Sequence, residues 1–297
     1  MTALLVEPPA NADFEAMVDY LLSLDYRQRR EFLWHRVKPR MPRFLYKFRS
    51  LDPSNTTSVE HMRDIIVRSR FWLSSPVDFN DPFDMSAQIV VDGTGEEKRQ
   101  RLDTILKGRG IAWSERQKRL ASILSKPDTE LQRAAETTYS QSLERVGVCS
   151  FGGDPHSILM WSHYSFFHQG VCLQFEVAKD PKTFCQAITV TYSDNYPVIK
   201  WTTAAEAGIK AVIETKHRRW KYERETRIII LESSHQYRPF DPQALRGIII
   251  GCRAQPETIQ QLRQLLAERS SKGLSLPTLY RAFKHPSKYK LVIKKEP

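Results

Sequence analysis

Short apolar strands and amphipathic helices follow one another along this chain without strict alternation, and this order constrains the fold more than any other feature. A doubly wound parallel sheet needs strands and helices that alternate. The sequence therefore predicts an α+β protein with a mixed or antiparallel central sheet. We expect strands at residues 43–49, 71–74, 146–151, 170–177, 187–192, 227–231, 245–252 and 289–293.

Four other parts of the chain have helical character, and two of them are predicted helices at about residues 54–70 and 256–270. Residues 13–38 carry apolar side chains at helical spacing and favour two helices that are separated near Leu24 and Asp25. Residues 95–145 are polar and helical, with breaks near residues 108–110 and at Pro127. We interpret residues 1–42 as an N-terminal helical segment. We interpret residues 43–297 as a single α+β domain of catalytic type with a helical insertion at about 95–145.

The charge balance of the chain is basic, with a net charge of +11 over 297 residues. Clustered lysines and arginines attract polyanions such as nucleic acid, although charge informs about association and not about fold. No apolar run reaches the roughly 18–20 residues that a membrane span needs, and residues 1–12 lack the features of a secretory signal. We therefore expect a cytoplasmic protein without a membrane partner.

Polar residues follow the first two predicted strands. Arg49 ends the first strand, where its guanidinium can bind a phosphate or carboxylate or simply close the strand at the surface. Ser74 and Ser75 end the second strand and are candidates to hold a ribose or a catalytic side chain. Asn80 and Asp81 stand before a proline, which favours an Asx turn. With no third ligand at a recognisable spacing, we predict no metal site there.

An aromatic helical turn at residues 160–164 contains His163. Because the pKa of an ordinary histidine lies near neutrality, His163 is a candidate general acid or base. The alternative, equally open, is a packing element in which this histidine satisfies a buried carbonyl.

A basic and acidic segment at residues 216–227 leads into an apolar strand. Strand alternation would place Glu223 and Glu225 on one face, with Arg227 beside them. Two carboxylates next to a buried strand are costly unless they are compensated. They either pair with Arg49 or Arg227, or they act on a substrate.

Several of these segments together resemble the bacterial family catalogued as domain of unknown function 2971. The resemblance covers about residues 43–295 and leaves the N-terminal helices outside it. It implies a setting among mobile elements and antiphage defence, and with it a toxin or defence effector. The matching segments are residues 45–49, 74–84, 159–164, 220–227 and 248–251.

A more distant resemblance is to ADP-ribosyltransferases of the Arg-Ser-Glu type, in which the three sites follow in this chain order. Arg49, then Ser74 or Ser75, then Glu223 or Glu225 occur in a similar order here. The resemblance implies an ADP-ribosyltransferase-like fold and NAD as cofactor. The serine motif of this chain departs from the usual Ser-Thr-Ser, and about 150 residues separate it from the glutamates.

The same resemblance implies a role for each residue. Arg49 would bind an NAD phosphate or ribose, and Ser74 would support the pocket. Glu225 would hydrogen-bond the nicotinamide ribose and stabilise positive charge on it, while Glu223 would orient the acceptor. The aromatic residues expected to stack on NAD are Tyr46, Trp72 and Tyr164.

The sequence is also compatible with other functions. A metal-dependent nuclease would use Asp81, Asp84, Glu223 and Glu225 around Mg²⁺. In a non-enzymatic nucleic-acid-binding or sensing module, Arg49 and the glutamate pair would form a structural salt bridge that holds two strands together. The N-terminal helices are a candidate surface for a partner protein. The residues expected to contact nucleic acid or another acceptor are Asn80, Asp81, Lys216, Arg218, Arg219 and Lys221.

Overall fold

A computed structural model describes residues 13–37, 41–202 and 205–297. The expectation for residues 1–12 lies outside these described residues. Within them, no helix has the length and the apolar character that crossing a membrane requires.

The helices include every helical segment expected from the sequence. The two N-terminal helices are capped by Asp13 and Asp25, whose side chains accept hydrogen bonds from the first turns. The insertion folds as three helices, with breaks where the glycines and Pro127 occur. The α-helices are α1 Phe14–Ser23, α2 Tyr26–His35, α3 Thr56–Ile66, α4 Gly95–Gly108, α5 Trp113–Leu124, α6 Asp128–Glu144, α7 Ile158–Tyr164, α8 Pro181–Phe184, α9 Ala205–Ile213 and α10 Pro256–Ser271.

The strands form a mixed and mostly antiparallel arrangement, which confirms the expected class. The largest sheet has the order β1-β5-β12-β13-β14, in which only β12 and β13 run parallel to each other. The strands are β1 Phe44–Arg49, β2 Arg70–Leu73, β3 Gln88–Val90, β4 Gly147–Phe151, β5 Val171–Glu176, β6 Ile188–Thr189, β7 Thr191–Ser193, β8 Val198–Lys200, β9 Thr215–His217, β10 Thr226–Ile230, β11 Gln236–Pro239, β12 Leu245–Ile250, β13 Thr278–Lys284 and β14 Leu291–Lys295.

The large sheet is covered on both faces. One face packs against α3, α10 and the N-terminal helices, whose Leu21, Phe32 and Leu33 belong to the main apolar core. The other face packs against α7, where Met160 and Trp161 are buried. This two-sided burial explains why nearly every residue of β5 and β12 is buried, instead of every second one.

Strand β4 joins the large sheet to a smaller one. One edge of β4 pairs with β10, which in turn pairs with β6. Its other edge contacts β2 through a bridge between Ser74 and Val148, and contacts β1 through a bridge between Tyr46 and Gly152. Since β1 and β2 meet the same edge of β4 at different points, they diverge from each other. An opening results between them.

Candidate functional site

A cavity of about 460 Å³ occupies this opening between β1, β2 and β4. Its volume is in the range of small-molecule sites, about 300–1,000 Å³. The side chains come from parts of the chain that are far apart in sequence. The lining residues are Tyr46, Lys47, Phe48, Arg49, Trp72, Ser74, Asp78, Phe79, Asn80, Asp84, Val148, Ser150, Phe151, Gly152, Met160, His163, Tyr164, Lys216, Glu223 and Glu225.

Two cations on β1 form one wall of the cavity. Lys47 and Arg49 lie two residues apart in the strand and therefore share a face. The Nζ atom of Lys47 donates to the backbone oxygen of Ser150 at 3.0 Å, so it satisfies a carbonyl in the gap beside β4. The Nε atom of Arg49 is buried and has no hydrogen-bond partner among the described residues. Burial lowers the pKa of both groups, because it destabilises their charged forms. An anion bound at this wall would stabilise those charged forms.

Lys216 holds the two glutamates at the base of the cavity. Its Nζ atom lies 2.6 Å from Oε2 of Glu223 and 2.8 Å from Oε2 of Glu225. It also lies 3.4 Å from Oδ2 of Asp84. Lys216 is only 7% exposed and both glutamates are 3% exposed, so this is a buried charge cluster and not a surface ion pair. Such clusters persist only where each charge is compensated.

Arg227 completes the cluster on the side away from the cavity. Its Nε atom donates to Oε1 of Glu225 at 2.7 Å, and its Nη2 atom donates to both carboxylate oxygens of Asp84 at 2.7 and 2.8 Å. Arg227 is fully buried and does not line the cavity. Glu225 is therefore fixed between Lys216 and Arg227.

The cluster separates the pKa values of the two glutamates. Burial acts to raise the pKa of Glu225, but Arg227 and Lys216 outweigh burial and lower this pKa to about 2. Burial also acts on Glu223, and there it prevails over Lys216, so the pKa of Glu223 is raised. Glu225 is thus ionised at neutral pH, and Glu223 is the one of the pair that accepts a proton more readily.

The helix α7 brings two ring systems to the mouth of the cavity. The hydroxyl group of Tyr164 donates to Oε1 of Glu223 at 2.7 Å. Burial and the neighbouring carboxylate both raise the pKa of Tyr164, so this hydroxyl stays protonated as a donor. His163 is exposed, and its ring lies 6.4 Å from that of Trp220 and 6.3 Å from that of Tyr222.

Glu223 and Glu225 both contact Lys216, but they do not alternate along one strand as the sequence predicted. Glu223 ends a 3-10 helix at Arg218–Glu223, and β10 begins only at Thr226. Between the glutamates, Arg224 adopts left-handed backbone angles, with φ of 47° and ψ of 51°. This turn, and not a pleat, directs both carboxylates toward Lys216. The expected pairing of Glu225 with Arg227 is present, whereas Arg49 pairs with neither glutamate.

Most of the residues singled out in the sequence lie together in this cavity. They are Tyr46, Arg49, Trp72, Ser74, Asn80, His163, Tyr164, Lys216, Glu223 and Glu225. Lys216 lies there as the buried partner of the glutamates, and its contact with an acceptor stays a prediction.

Other predicted residues lie elsewhere. Ser75 is fully buried, and its hydroxyl donates to the backbone oxygen of Glu144 at 3.1 Å, so it serves the fold. Asp81 accepts a hydrogen bond from the backbone N–H of Phe83 at 3.0 Å and forms the expected Asx turn. It does not line the cavity. Arg218, Arg219 and Lys221 are exposed on the 3-10 helix and do not line the cavity either.

Three charged residues of the cavity, Lys47, Asp78 and Asp84, were missing from the predicted site. Lys47 shares a strand face with Arg49, so period-two spacing could have identified it. Asp84 was considered only as a metal ligand, and its actual partners, Lys216 and Arg227, are more than 100 positions away in sequence. In the three described ranges, no group of three His, Cys, Asp or Glu side chains is arranged to hold a metal ion.

One of the comparisons with known proteins found a match, and this match covers one part of the chain. No curated protein and no solved structure matches it. The model of a family described as "Protein of unknown function (DUF2971)" matches residues 160–228. The matched segment includes most of α7, Lys216 and both glutamates of the cavity. Over these residues the chain carries the signature of the DUF2971 family, as its sequence motifs had indicated.

Proposed function

We propose that the protein is an NAD-dependent ADP-ribosyltransferase or NAD glycohydrolase. The observation that supports this most is that Arg49, Ser74 and Glu225 line a single cavity, although more than 170 residues separate the first from the last. Their order matches that of the Arg-Ser-Glu enzymes, and the opening between two diverging strands is compatible with an ADP-ribosyltransferase-like fold.

ADP-ribosyl transfer breaks the bond between C1′ of a ribose and the nitrogen of nicotinamide, which leaves with the bonding electrons. Positive charge builds up at C1′ until a nucleophile bonds there and gives up its proton. A fixed anion near C1′ lowers the barrier, because it stabilises charge that exists mainly in the transition state. Glu225 is suited to this role, since its low pKa keeps it ionised and its two cationic partners prevent it from moving.

The remaining cavity residues fit binding and proton transfer. Arg49 and Lys47 provide positive charge for a diphosphate, and the unpaired Nε atom of Arg49 is a donor that a phosphate oxygen would satisfy. Tyr46, Trp72 and Tyr164 provide ring faces for a base or nicotinamide. Glu223, with its raised pKa, is suited to take the proton of a water molecule or another nucleophile.

The test is release of nicotinamide from NAD, with and without RNA, DNA and cell lysate as acceptors. We expect Glu225→Gln to lower this release by about 10²–10³-fold, which is the usual effect of removing one electrostatic group from an active site. Glu31→Gln is the matched control, because it makes the same substitution at an exposed position outside the cavity and should retain full release. The proposal is wrong if the wild-type protein releases no nicotinamide and NAD leaves its melting temperature unchanged.

A second candidate, a non-enzymatic binding or sensing module, is favoured by one observation. Glu225 already accepts hydrogen bonds from Lys216 and Arg227, as a purely structural ion pair would. In that case Arg49 and Lys47 would bind an anionic ligand without turnover. Glu225→Gln would then lower the melting temperature as much as Arg227→Lys does, and neither variant nor the wild type would turn over NAD.

A further inference from the structure

A second cavity, distinct from the one above, lies between the helical insertion and the sheets. Its volume is about 670 Å³, and α4, α6 and α9 provide most of its wall. The wall is mainly apolar and includes Leu102, Leu106, Ile123, Val212 and Ile213. The cavity opens to solvent, and its volume is within the range of small-molecule sites, about 300–1,000 Å³. A mainly apolar cavity of this size is typical of a site that binds a small molecule.

The charged residues at this cavity are mostly basic. Both of its acids are already paired with lining cations, Glu130 with Lys126 at 3.0 Å and Glu232 with Arg145 at 3.4 Å. The lining basic residues are Arg101, Arg109, Lys126, Arg145 and Lys200. The cavity thus combines an apolar interior with an excess of positive charge.

Arg101 gives this charge a specific position. It lies on α4 among the lining residues, one position before the buried Leu102. Its Nε atom is buried and has no hydrogen-bond partner in the described part of the chain. A buried donor of a charged group that lacks an acceptor is destabilising, and charged donors form the stronger hydrogen bonds when an acceptor is present.

We propose that this cavity binds a small amphipathic anion, a molecule with an acyl-chain-like apolar body and one carboxylate or phosphate head that pairs with Arg101. The apolar body would fill the space between the insertion and the sheets. The insertion would thereby become a ligand-responsive part of the molecule. This inference does not depend on the activity of the first cavity.

The test is calorimetric titration of the full-length protein with dodecanoate and with dodecyl phosphate, which separate the two head groups. Dodecyltrimethylammonium, with the same chain and a cationic head, is the comparison ligand. We expect one of the anions to bind saturably with 1:1 stoichiometry. Arg101→Gln should weaken this binding by about tenfold or more, because a charge-assisted hydrogen bond is lost. The same variant should not weaken binding of dodecyltrimethylammonium.

Two further variants make the result specific. Arg99→Gln removes the same charge from the same helix at an exposed position outside the cavity, and it should leave the affinity unchanged. Ala135→Phe places a ring in the cavity wall and should abolish binding while circular dichroism shows retained helices. The inference fails if neither anion binds the wild type, or if Arg101→Gln and Arg99→Gln have equal effects.

Discussion

At the scale of the residue, the charged groups around Glu225 determine its pKa. Glu225 is 3% exposed, and burial alone would raise its pKa. The pKa is lowered because the attraction of Arg227 and Lys216 outweighs the effect of burial. Among the described residues, its neighbour Glu223 has Lys216 as its only cationic partner, and burial dominates there. One additional guanidinium thus decides which glutamate of the pair has the lower pKa.

This difference predicts a pH dependence of stability. The pKa of Glu225 falls from 4.5 to about 2 on folding, so the unfolded chain binds its proton first as the pH drops. The stability that the ionised side chain contributes is therefore fully present above about pH 4.5 and is lost as the pH falls toward 2. The difference in unfolding free energy between wild type and Glu225→Gln should shrink over this range, as measured by urea unfolding at several pH values.

The exposed Glu31 provides the control for that measurement. Glu31→Gln should change the unfolding free energy by less than about 0.5 kcal/mol, as is usual for surface substitutions. A difference for Glu225→Gln that stays constant between the two pH limits would contradict the assigned direction of its pKa.

At the scale of the element, β1 is held at its end by a glycine. Gly170 stands immediately before β5, and a Cβ atom there would lie 2.2 Å from the backbone oxygen of Arg49. The backbone oxygen of Gly170 also accepts a hydrogen bond from Gly251 at 2.9 Å, at the end of β12. Three neighbouring strands therefore meet at a point where only a glycine fits. This close approach fixes the position of Arg49 at the cavity.

We predict that Gly170→Ala destabilises the protein by about 1–3 kcal/mol, the usual effect of overpacking a well-packed site. Gly108→Ala, at the end of α4 with no atom within 4 Å of its new Cβ, is the matched control. It should be neutral or stabilise by up to about 1 kcal/mol, because alanine favours a helix over glycine. Chemical denaturation measures both, and equal effects would contradict the argument.

At the scale of the whole molecule, the insertion and the sheets differ in how they are held. The α6 helix has no buried residue, and the insertion packs around a small cluster of its own, Leu102, Leu106 and Leu120. The α10 helix contributes Leu262, Leu265 and Leu266 to the main core. Few buried contacts imply a low free energy of local opening.

Hydrogen exchange followed by mass spectrometry should therefore show a clear order. Amides of α6 should exchange well before those of α10, although both helices are of similar length. The strands β5 and β12, at the centre of the large sheet, should be the most protected. Equal protection of α6 and α10 would show that the insertion and the core open as one unit.

The sequence alone was sufficient for the local structure and for much of the candidate site. Helices α1 to α6 follow from apolar spacing, capping residues and glycine or proline breaks, which are properties of neighbouring residues. Arg49 and Ser74 were identifiable because they stand where predicted strands end. The strands β3, β8, β9, β11 and β13 were not predicted, because each is short or carries weak alternation and depends on its partner.

Only the tertiary structure decided how the charges pair. Asp84 reaches Arg227 across 143 positions of sequence, and Lys216 is buried although its neighbours at Arg218 and Arg219 are exposed. Ion pairing and burial depend on the distance between side chains in space, which sequence spacing does not encode beyond a few residues. The same applies to the second cavity, since a space between packed elements has no local sequence pattern. The sequence therefore identified the types of residue in the candidate site. The fold determined their protonation, their hydrogen-bonding partners and their exposure to solvent.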